Sequence, residues 1–452
     1  MEKKAPPKNQ TFYQQLGKIV GPENVKTDDR TVSKYAIDGM VPRAVAFPTG
    51  TRQVAQVVKA ASEARVAIVP WGSGSGQQVG TCLSEMDTVL CLSRMKRVTD
   101  FDASNFTVQV EAGLTNAELQ KQLAGNNLFF PLRPAHSETS SIGGQVATNG
   151  NGPARILYGN LRDLVLGVTA VTATGAIVHT GGKTMKNVAG LDLCKMFIGS
   201  WGTLGVITEA VLRVYPHPEV ARGFYITFAS PEDAFQMIGR VLDSPLTPSA
   251  IELVDPVAGR HMDGLGAKLN EGEVLLIITA EGTPGDVERH GKDITELAGN
   301  HKAKSPLVLE GEEVVKAWRA YHHMHSDLLA SDPAMIQGKA SVPISRLGDL
   351  FREVKRIGKS YSVEIGATAH GGNGILYPYF AADDEKASRI IDELKRTAAG
   401  LGGFFMVEAA PLQVRKSVQI MPPRNDYALM KRLKAEFDPH NILNPGRLLG
   451  GL

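Results

Sequence analysis

The segment Val-Pro-Trp-Gly-Ser-Gly-Ser-Gly at residues 69–76 constrains this chain more than any other stretch. Three glycines alternate with two serines directly after residues 66–69, a short apolar run that predicts a β-strand. Glycine adopts backbone angles closed to other residues and lets a backbone approach a ligand closely. Consecutive N–H groups in such a turn can face an anion, and the serine hydroxyls add donors. The loop therefore predicts a pyrophosphate site, with an ordinary flexible turn as the alternative.

The glycine spacing excludes two common nucleotide loops. A Rossmann fingerprint reads G-x-G-x-x-G, opens a helix and is followed by an acidic residue about 20 positions later. This loop reads G-x-G-x-G, and residues 77–81 lack a helical apolar period. A Walker A loop ends in Gly-Lys-Thr, as residues 182–184 do, but Ile177 stands where its first glycine is required.

Two further glycine-rich blocks occur, at residues 140–152 and 199–208. Three such blocks in one half of the chain are hard to explain as turns alone. A large, flat cofactor that carries a diphosphate needs close backbone approach at several points along its length. The three blocks together therefore indicate a large nucleotide cofactor without identifying it.

Length and composition limit the classes of protein. A chain of 452 residues is too long for one core, so two or three domains are expected. The 49 Lys and Arg residues balance 47 Asp and Glu residues, so the chain lacks the excess positive charge that would attract nucleic acid. No apolar run approaches the roughly 18 residues of a transmembrane helix, and residues 1–10 lack the apolar core of a signal peptide. We expect a cytoplasmic protein, with peripheral attachment to the inner membrane through a partner as the alternative.

The three cysteines, Cys82, Cys91 and Cys194, are too few for a four-cysteine iron–sulfur cluster. They also lack the C-x-x-C spacing of a zinc or redox site, so we expect small buried residues.

The pattern of apolar residues predicts two architectures in succession. A helix at residues 49–65 between strands at 44–47 and 66–69 predicts a β-α-β unit with the first glycine loop at its carboxyl end, where ligands bind in open α/β structures. Pro216 and Pro218 then mark a boundary. Beyond it, alternating helices and strands predict an α+β domain with an antiparallel sheet. Its predicted helices are 231–242, 286–298, 347–357 and 385–399, its strands are 224–228, 250–254, 274–279, 362–367, 375–379 and 404–407, and a helical tail spans 427–437.

In its glycine blocks the chain resembles the FAD-binding domain of the vanillyl-alcohol oxidase and p-cresol methylhydroxylase (PCMH) superfamily. It is most similar to glycolate oxidase flavin subunits and D-lactate dehydrogenases, and Lys-Asn-Val-Ala-Gly at residues 186–190 is typical of the E-type subunit. The matching stretches are residues 46–49, 69–76, 141–144, 181–190, 202–207 and 437–447. The resemblance implies an α+β fold with a two-subdomain PCMH-type FAD-binding domain and an α+β cap domain with an antiparallel sheet. The implied segments are an N-terminal helical part (1–35), the FAD domain (36–217), the cap (218–424) and a tail returning to the FAD domain (425–452).

The resemblance also implies FAD as cofactor, with the first loop at the pyrophosphate and the other two blocks along the adenosine and the flavin. Relatives with covalent flavin carry a histidine in the first loop, and none stands there in this chain, so non-covalent FAD is implied. The residues assigned to FAD are Pro70, Trp71, Gly72, Ser73, Gly74, Ser75, Gly76, Gln77, Ser140, Ser141, Ile142, Gly143, Gly144, Asn149, Gly202, Thr203, Gly205, Val206 and Ile207.

The resemblance breaks at the residues that would act on a substrate. Family dehydrogenases bind a divalent metal through two histidines and a glutamate, and a histidine after that glutamate serves as base. Here His370 keeps the first position, while Tyr377 replaces the second histidine. Glu408 remains, but Ala409 replaces the base. One histidine and one glutamate are too few for a typical transition-metal site, so no metal is predicted. His370 is left as a base that acts without metal, or as a packed relic.

Other candidates carry weaker signals. Arg319 could bind a substrate carboxylate through two hydrogen bonds, or form a surface salt bridge. His322 and His325 share one helix face at i, i+3 spacing, and we interpret that face as solvated and not as a metal site. Glu252 receives no role.

Three functions remain open for an FAD-dependent oxidoreductase of this kind. The first is a subunit of a 2-hydroxy-acid (glycolate or lactate) oxidising complex that relays electrons between a catalytic flavoprotein and an iron–sulfur partner, because an intact flavin domain adjoins an incomplete oxidation site. The second is an autonomous FAD-dependent dehydrogenase with His370 as base. The third is a structural subunit whose flavin never changes redox state.

Overall fold

The computed structural model describes residues 10–134, 136–183, 190–262, 269–304 and 306–451. Residues 1–9, Thr184 and the motif residues 186–189 used in the sequence analysis lie outside the described residues. The strands are β1 (Val25–Lys26), β2 (Ala44–Ala46), β3 (Ile68–Trp71), β4 (Thr88–Cys91), β5 (Val98–Asp102), β6 (Thr107–Glu111), β7 (Leu128–Phe129), β8 (Val165–Val171), β9 (Ile177–Gly181), β10 (Val206–Arg213), β11 (Tyr215–Pro216), β12 (Val220–Phe228), β13 (Ala250–Val254), β14 (Val274–Gly282), β15 (Leu307–Glu310), β16 (Met335–Ser341), β17 (Gly366–His370), β18 (Ile375–Ala381) and β19 (Phe404–Ala409).

The α-helices alternate with these strands. They are α1 (Gln10–Val20), α2 (Asp29–Val32), α3 (Thr51–Ala64), α4 (Asn116–Ala124), α5 (Ile142–Thr148), α6 (Arg155–Tyr158), α7 (Leu161–Leu164), α8 (Cys194–Phe197), α9 (Pro231–Leu242), α10 (Pro256–Gly259), α11 (Pro284–Asn300), α12 (Glu312–Ala330), α13 (Leu347–Tyr361), α14 (Asp384–Gly400), α15 (Leu412–Ser417) and α16 (Tyr427–Phe437). In the described part of the chain, none of them is both long enough and apolar enough to span a bilayer.

The N-terminal half contains a small sheet and a larger antiparallel one. The small sheet has the order β1-β2-β4-β3, in which β2, β4 and β3 run parallel. Helix α3 connects β2 to β3 and buries Val54, Val57 and Val58, so the predicted β-α-β unit is confirmed. Strand β3 ends at Trp71, which places the first glycine loop at its carboxyl end. The larger sheet has the order β5-β6-β10-β8-β9 and includes the antiparallel pair β8–β9.

The second half is built on one antiparallel sheet of eight strands, in the order β15-β12-β14-β13-β17-β18-β16-β19. Successive residues of a strand face opposite sides, and β14 is apolar on both. Leu276 and Ile278 pack into the core shared with α9, α11, α13 and α14, while Leu275 and Ile277 pack into the core shared with α12. The fold class predicted from the sequence is confirmed.

Three strands of this sheet differ from the prediction. The strand predicted at residues 362–367 begins only at Gly366 and runs to His370, and neither β15 nor β16 was predicted. The sequence of β17 is Gly-Ala-Thr-Ala-His, and β16 contains Gln, Gly, Lys and Ser. Neither is rich in the β-branched and aromatic residues on which strand prediction depends, and the surrounding sheet supplies their pairing instead.

The C-terminal tail packs against the N-terminal core. Ile442 and Leu443 belong to that core, and the N–H of Ile68 donates to the carbonyl of Ile442 at 2.7 Å. The other two large cores contain residues between 224 and 420. The boundaries of the four predicted segments stay a prediction.

Asp38 joins three distant parts of the chain. Its side chain is 2% exposed, and its Oδ1 lies 2.5 Å from Nη1 of Arg415 while its Oδ2 lies 3.4 Å from Nη1 of Arg447. The backbone N–H of Leu83 also donates to Oδ2 at 2.9 Å. We call these three charged side chains the Asp38 clamp. Through a single buried carboxylate, the clamp connects the N-terminal half of the chain to Arg415 in the second half and to Arg447 in the tail.

Candidate active site

A cavity of about 660 Å³ brings together all three glycine blocks, helix α12, four strands of the large sheet and the tail. Most of the residues assigned to the cofactor line it: Pro70, Trp71, Gly72, Ser73, Gly74, Ser75, Gly76, Gln77, Ser140, Ser141, Gly143, Gly144, Asn149, Gly202, Gly205 and Ile207. Ile142 and Val206 instead have side chains in the N-terminal core. The hydroxyl of Thr203 is buried and donates to the carbonyl of Ser200 at 2.7 Å. These three side chains are held by packing and do not face the cavity.

The first glycine loop leaves its amides free. Among the described residues, the N–H groups of residues 73–76 donate no hydrogen bond within the protein. Gly74 has φ +86°, and a Cβ there would lie 2.5 Å from the ring of Trp71. The loop therefore presents consecutive unpaired donors beside a backbone that only glycine fits, which is the arrangement of an anion-binding nest.

The second glycine block packs directly against the first. The N–H of Ser141 donates to Oγ of Ser73 at 3.3 Å, and Oγ of Ser141 accepts from the N–H of Gly144 at the start of α5. A Cβ on Gly143 would lie 2.6 Å from the Cβ of Ala112. The glycines thus bring α5 close to the loop and to the neighbouring sheet.

The tail supplies two polar groups that the sequence analysis did not assign. Asn444 and Arg447 line the cavity. Oδ1 of Asn444 and Nη2 of Arg447 are buried without a hydrogen-bond partner among the described residues. Burial lowers the pKa of Arg447 to about 10, so the guanidinium stays charged near neutral pH. Unpaired buried polar atoms are costly, so this end of the cavity fits a polar, anionic group. The Asn-Pro-Gly-Arg motif of the tail was the available signal.

At the other end of the cavity, one face of the large sheet carries a row of polar side chains. Glu252 (β13), His370 (β17), Tyr377 (β18), Lys339 (β16) and Glu408 (β19) follow the strand order of the sheet. The last four line the cavity, and Glu252 is buried behind His370.

His370 is held by a buried acid. Its Nδ1 lies 2.7 Å from both carboxylate oxygens of Glu252, and the hydroxyl of Tyr321 donates to Glu252 at 2.5 Å. Within the described residues Nδ1 is the only ring nitrogen of His370 with a hydrogen-bond partner. With its proton on Nδ1 and donated to Glu252, the imidazole keeps a lone pair on Nε2. Glu252 therefore orients the imidazole of His370, although the sequence had assigned a role only to His370.

Burial and charge keep the imidazole neutral. Burial lowers the pKa of His370 well below its usual value, and the positive charges of Arg155 and Lys339 lower it further, whereas Glu408 opposes them. The pKa of Glu252 is raised well above its usual range because burial outweighs the opposing effect of the hydrogen bond from Tyr321. A neutral imidazole that faces a cavity is able to accept a proton.

Tyr377, Lys339 and Glu408 form a second group beside His370. The rings of His370 and Tyr377 are in edge contact, with centroids 5.2 Å apart. Nζ of Lys339 lies 3.4 Å from Oε1 of Glu408, and Nε2 of Gln337 donates to Oε2 of Glu408 at 3.1 Å. No group of three described His, Cys, Asp or Glu side chains could hold a metal ion.

Helix α12 differs from its sequence interpretation. His322 and His325 line the cavity and His325 is buried, so the proposal that they form a solvated face is wrong. Burial lowers the pKa of both to about 3, which makes them neutral. Arg319 is 61% exposed and lies 3.6 Å from Glu138. It is a surface salt bridge and does not line the cavity, which corrects its assignment to a substrate carboxylate.

Comparison with known proteins agrees with this arrangement. Residues 42–181 match the FAD binding domain family, and residues 217–448 match the C-terminal domain of FAD linked oxidases. The chain is 30% identical to glycolate oxidase subunit GlcD of Bacillus subtilis (strain 168), over 96% of this chain and 96% of the relative. It is 28% identical to a probable mitochondrial D-lactate dehydrogenase of Danio rerio, over 95% of this chain and 90% of the relative.

Solved structures share the fold at lower identity. An alkyldihydroxyacetonephosphate synthase superposes with a TM-score of 0.77 at 20% identity, over 98% of this chain and 87% of that one. A p-cresol methylhydroxylase superposes with a TM-score of 0.76 at 17% identity, over 97% and 96%.

Proposed function

We propose that this chain, which belongs to the FAD-linked oxidase family and is an FAD-dependent oxidoreductase, oxidises a small 2-hydroxy acid. The substrate class comes from relatives named as a glycolate oxidase subunit and as D-lactate dehydrogenases. The observation that carries the proposal is His370, which is held by Glu252 and faces the same cavity as the glycine blocks.

The cavity fits the cofactor. The free N–H groups of residues 73–76 and the buried guanidinium of Arg447 suit the diphosphate of FAD, and the unpaired Oδ1 of Asn444 offers a further polar contact. When bound, FAD supplies the acceptor for the hydride that leaves the hydroxyl-bearing carbon of the substrate.

The protein supplies the base. Nε2 of His370 accepts the hydroxyl proton of the substrate, and Glu252 holds the ring in position through Nδ1. The nearby charges of Arg155 and Lys339 disfavour the protonated ring before reaction, so the base is ready at neutral pH. His322 and His325, which are neutral, add no competing positive charge.

A second candidate is the electron-relay subunit of a larger 2-hydroxy-acid oxidising complex, with a catalytic flavoprotein and an iron–sulfur protein as partners. Two observations favour it. Tyr377 and Ala409 stand where the family dehydrogenases have histidines, and the relative from Bacillus subtilis is named as a subunit.

Flavin bleaching separates the two candidates. We expect a D- or L-2-hydroxy acid from a panel that includes glycolate and lactate to bleach the visible absorbance of the purified holoprotein without oxygen. Bleaching at the rate of turnover by this chain alone supports the first proposal. Bleaching only after a partner flavoprotein is added supports the relay, and no bleaching under either condition contradicts both.

The flavin is expected to be non-covalent, because the loop at residues 72–76 has no histidine. Acid precipitation of the holoprotein should release all flavin into the supernatant, where its fluorescence identifies it as FAD. A fluorescent protein band on a denaturing gel would contradict this prediction.

A further inference from the structure

Lys339 lies beside residues that the family resemblance assigns to a metal site. The expected ligands would be residues 370, 377 and 408, and in this chain the second of them is Tyr377. The ammonium of Lys339 lies beside two of these three positions, 3.4 Å from Oε1 of Glu408 and 5.8 Å from the ring centroid of Tyr377. An ammonium has hydrogen-bond donors only and cannot ligate a metal. Its positive charge would also repel a metal cation bound by the neighbouring side chains. These residues do not fit a divalent metal.

The same ammonium is well placed to bind an anion. The side chain of Lys339 is 25% exposed, and it lines the cavity. Glu408 is its one ion-pair partner among the described residues, and that carboxylate is shared with Gln337. An ammonium has three donors, so donors remain available.

A second cation reinforces this end of the cavity. Nε and Nη2 of Arg155 are buried without a hydrogen-bond partner among the described residues. Helix α6 begins at Arg155 and packs against β13, the strand of Glu252, and Ile156 lies against Gly372 just after His370, so this cation lies near the proposed base. A carboxylate beside the reacting hydroxyl would be attracted to this region.

We propose that Lys339 is a fixed cation that replaces the metal ion and binds the carboxylate of the substrate. The assignment rests on the proposed function for the identity of that substrate. The binding of a small carboxylate tests it separately, because oxalate can occupy the site without being oxidised as a hydroxy acid.

The experiment measures oxalate binding to chelator-treated holoprotein by calorimetry and by the change in flavin absorbance. Lys339→Met should weaken oxalate binding by about tenfold to a hundredfold, the usual range for a hydrogen bond to a charged group. Lys339→Arg should retain most of the affinity. Lys292→Met makes the same change on an exposed helix face and should leave binding unchanged. FAD content is measured for each variant, and Lys339→Gln replaces Lys339→Met if the latter loses flavin.

Two results would overturn the assignment: equal oxalate affinity in wild type and Lys339→Met, or affinity that disappears with chelator and returns with zinc or manganese. If 2-hydroxy acids bleach the flavin of Lys339→Met with an unchanged KM, the proposed function stands and this assignment fails. If oxalate binds through Lys339 but no 2-hydroxy acid bleaches the flavin, the carboxylate site stands and the proposed function fails.

Discussion

Replacement of His370 by Gln should lower kcat by about 10²- to 10⁴-fold at pH 7 while FAD stays bound. Nδ1 of His370 is held by Glu252 at 2.7 Å, and the glutamine amide can keep a hydrogen bond to that carboxylate. What glutamine cannot supply is a basic nitrogen in place of Nε2. The measurement is the anaerobic rate of flavin reduction at saturating 2-hydroxy acid, with flavin absorbance as the check on cofactor content.

The pH dependence distinguishes a base from a packing residue. The base acts only when neutral, and its folded pKa lies below the usual 6.5. Wild-type kcat/KM should therefore stay level as the pH falls through 6.5 and decline only at more acid pH, and His370→Gln should lose that acid limb. The exposed His323, on α12, gives the matched control His323→Gln, which should behave as wild type. Near-normal turnover in His370→Gln would contradict the base and favour the relay.

Replacement of Asp38 by Asn should destabilise the protein by about 3–5 kcal/mol. The change removes one buried negative charge and leaves the guanidinium groups of Arg415 and Arg447, 5% and 3% exposed, without their counter-ion. Asn keeps the shape of the side chain and tolerates the left-handed backbone of residue 38, where φ is 54°. The effect therefore comes from charge and not from backbone strain.

Urea denaturation of the holoprotein at a fixed FAD concentration measures this effect through tryptophan and flavin fluorescence. Asp349→Asn is the control, because Asp349 is partly exposed and pairs with Arg346 and Arg352 at the surface. That variant should lose no more than about 1 kcal/mol. Equal stability of Asp38→Asn and wild type would show that the two arginines find other partners.

The parts predicted well from the sequence are those that local chemistry determines. The glycine loop follows a short apolar strand, and helix α3 carries an apolar stripe, so both could be identified from neighbouring residues. Thr115 and Glu118 form the reciprocal capping box that starts α4, and this signal too lies within a few neighbouring residues. Most residues assigned to the cofactor line the cavity because backbone approach at glycine is a local property.

The substrate end depends on pairings between distant segments. Glu252 meets His370 because β13 pairs with β17 across more than a hundred residues, and Lys339 meets Glu408 because β16 pairs with β19. No local pattern records these neighbours, and β16 lacks a typical strand composition. The same limit explains why the sequence interpretation of Arg319 and His325 was wrong. Both residues lie on α12, and the packing of that helix determines that His325 faces the cavity and Arg319 does not.

The return of the tail has a consequence for biosynthesis. Asn444 and Arg447 line the cavity, and the hydroxyl of Thr81 donates to the carbonyl of Leu448 at 2.9 Å. A ribosome makes the chain from residue 1 onward, so the glycine loop emerges long before the wall that completes its pocket. Until residues 444–447 are made, the growing polypeptide lacks part of the wall of the FAD cavity. We therefore expect FAD to be captured only after residues 444–447 have been made, so that an apoprotein precedes the holoprotein.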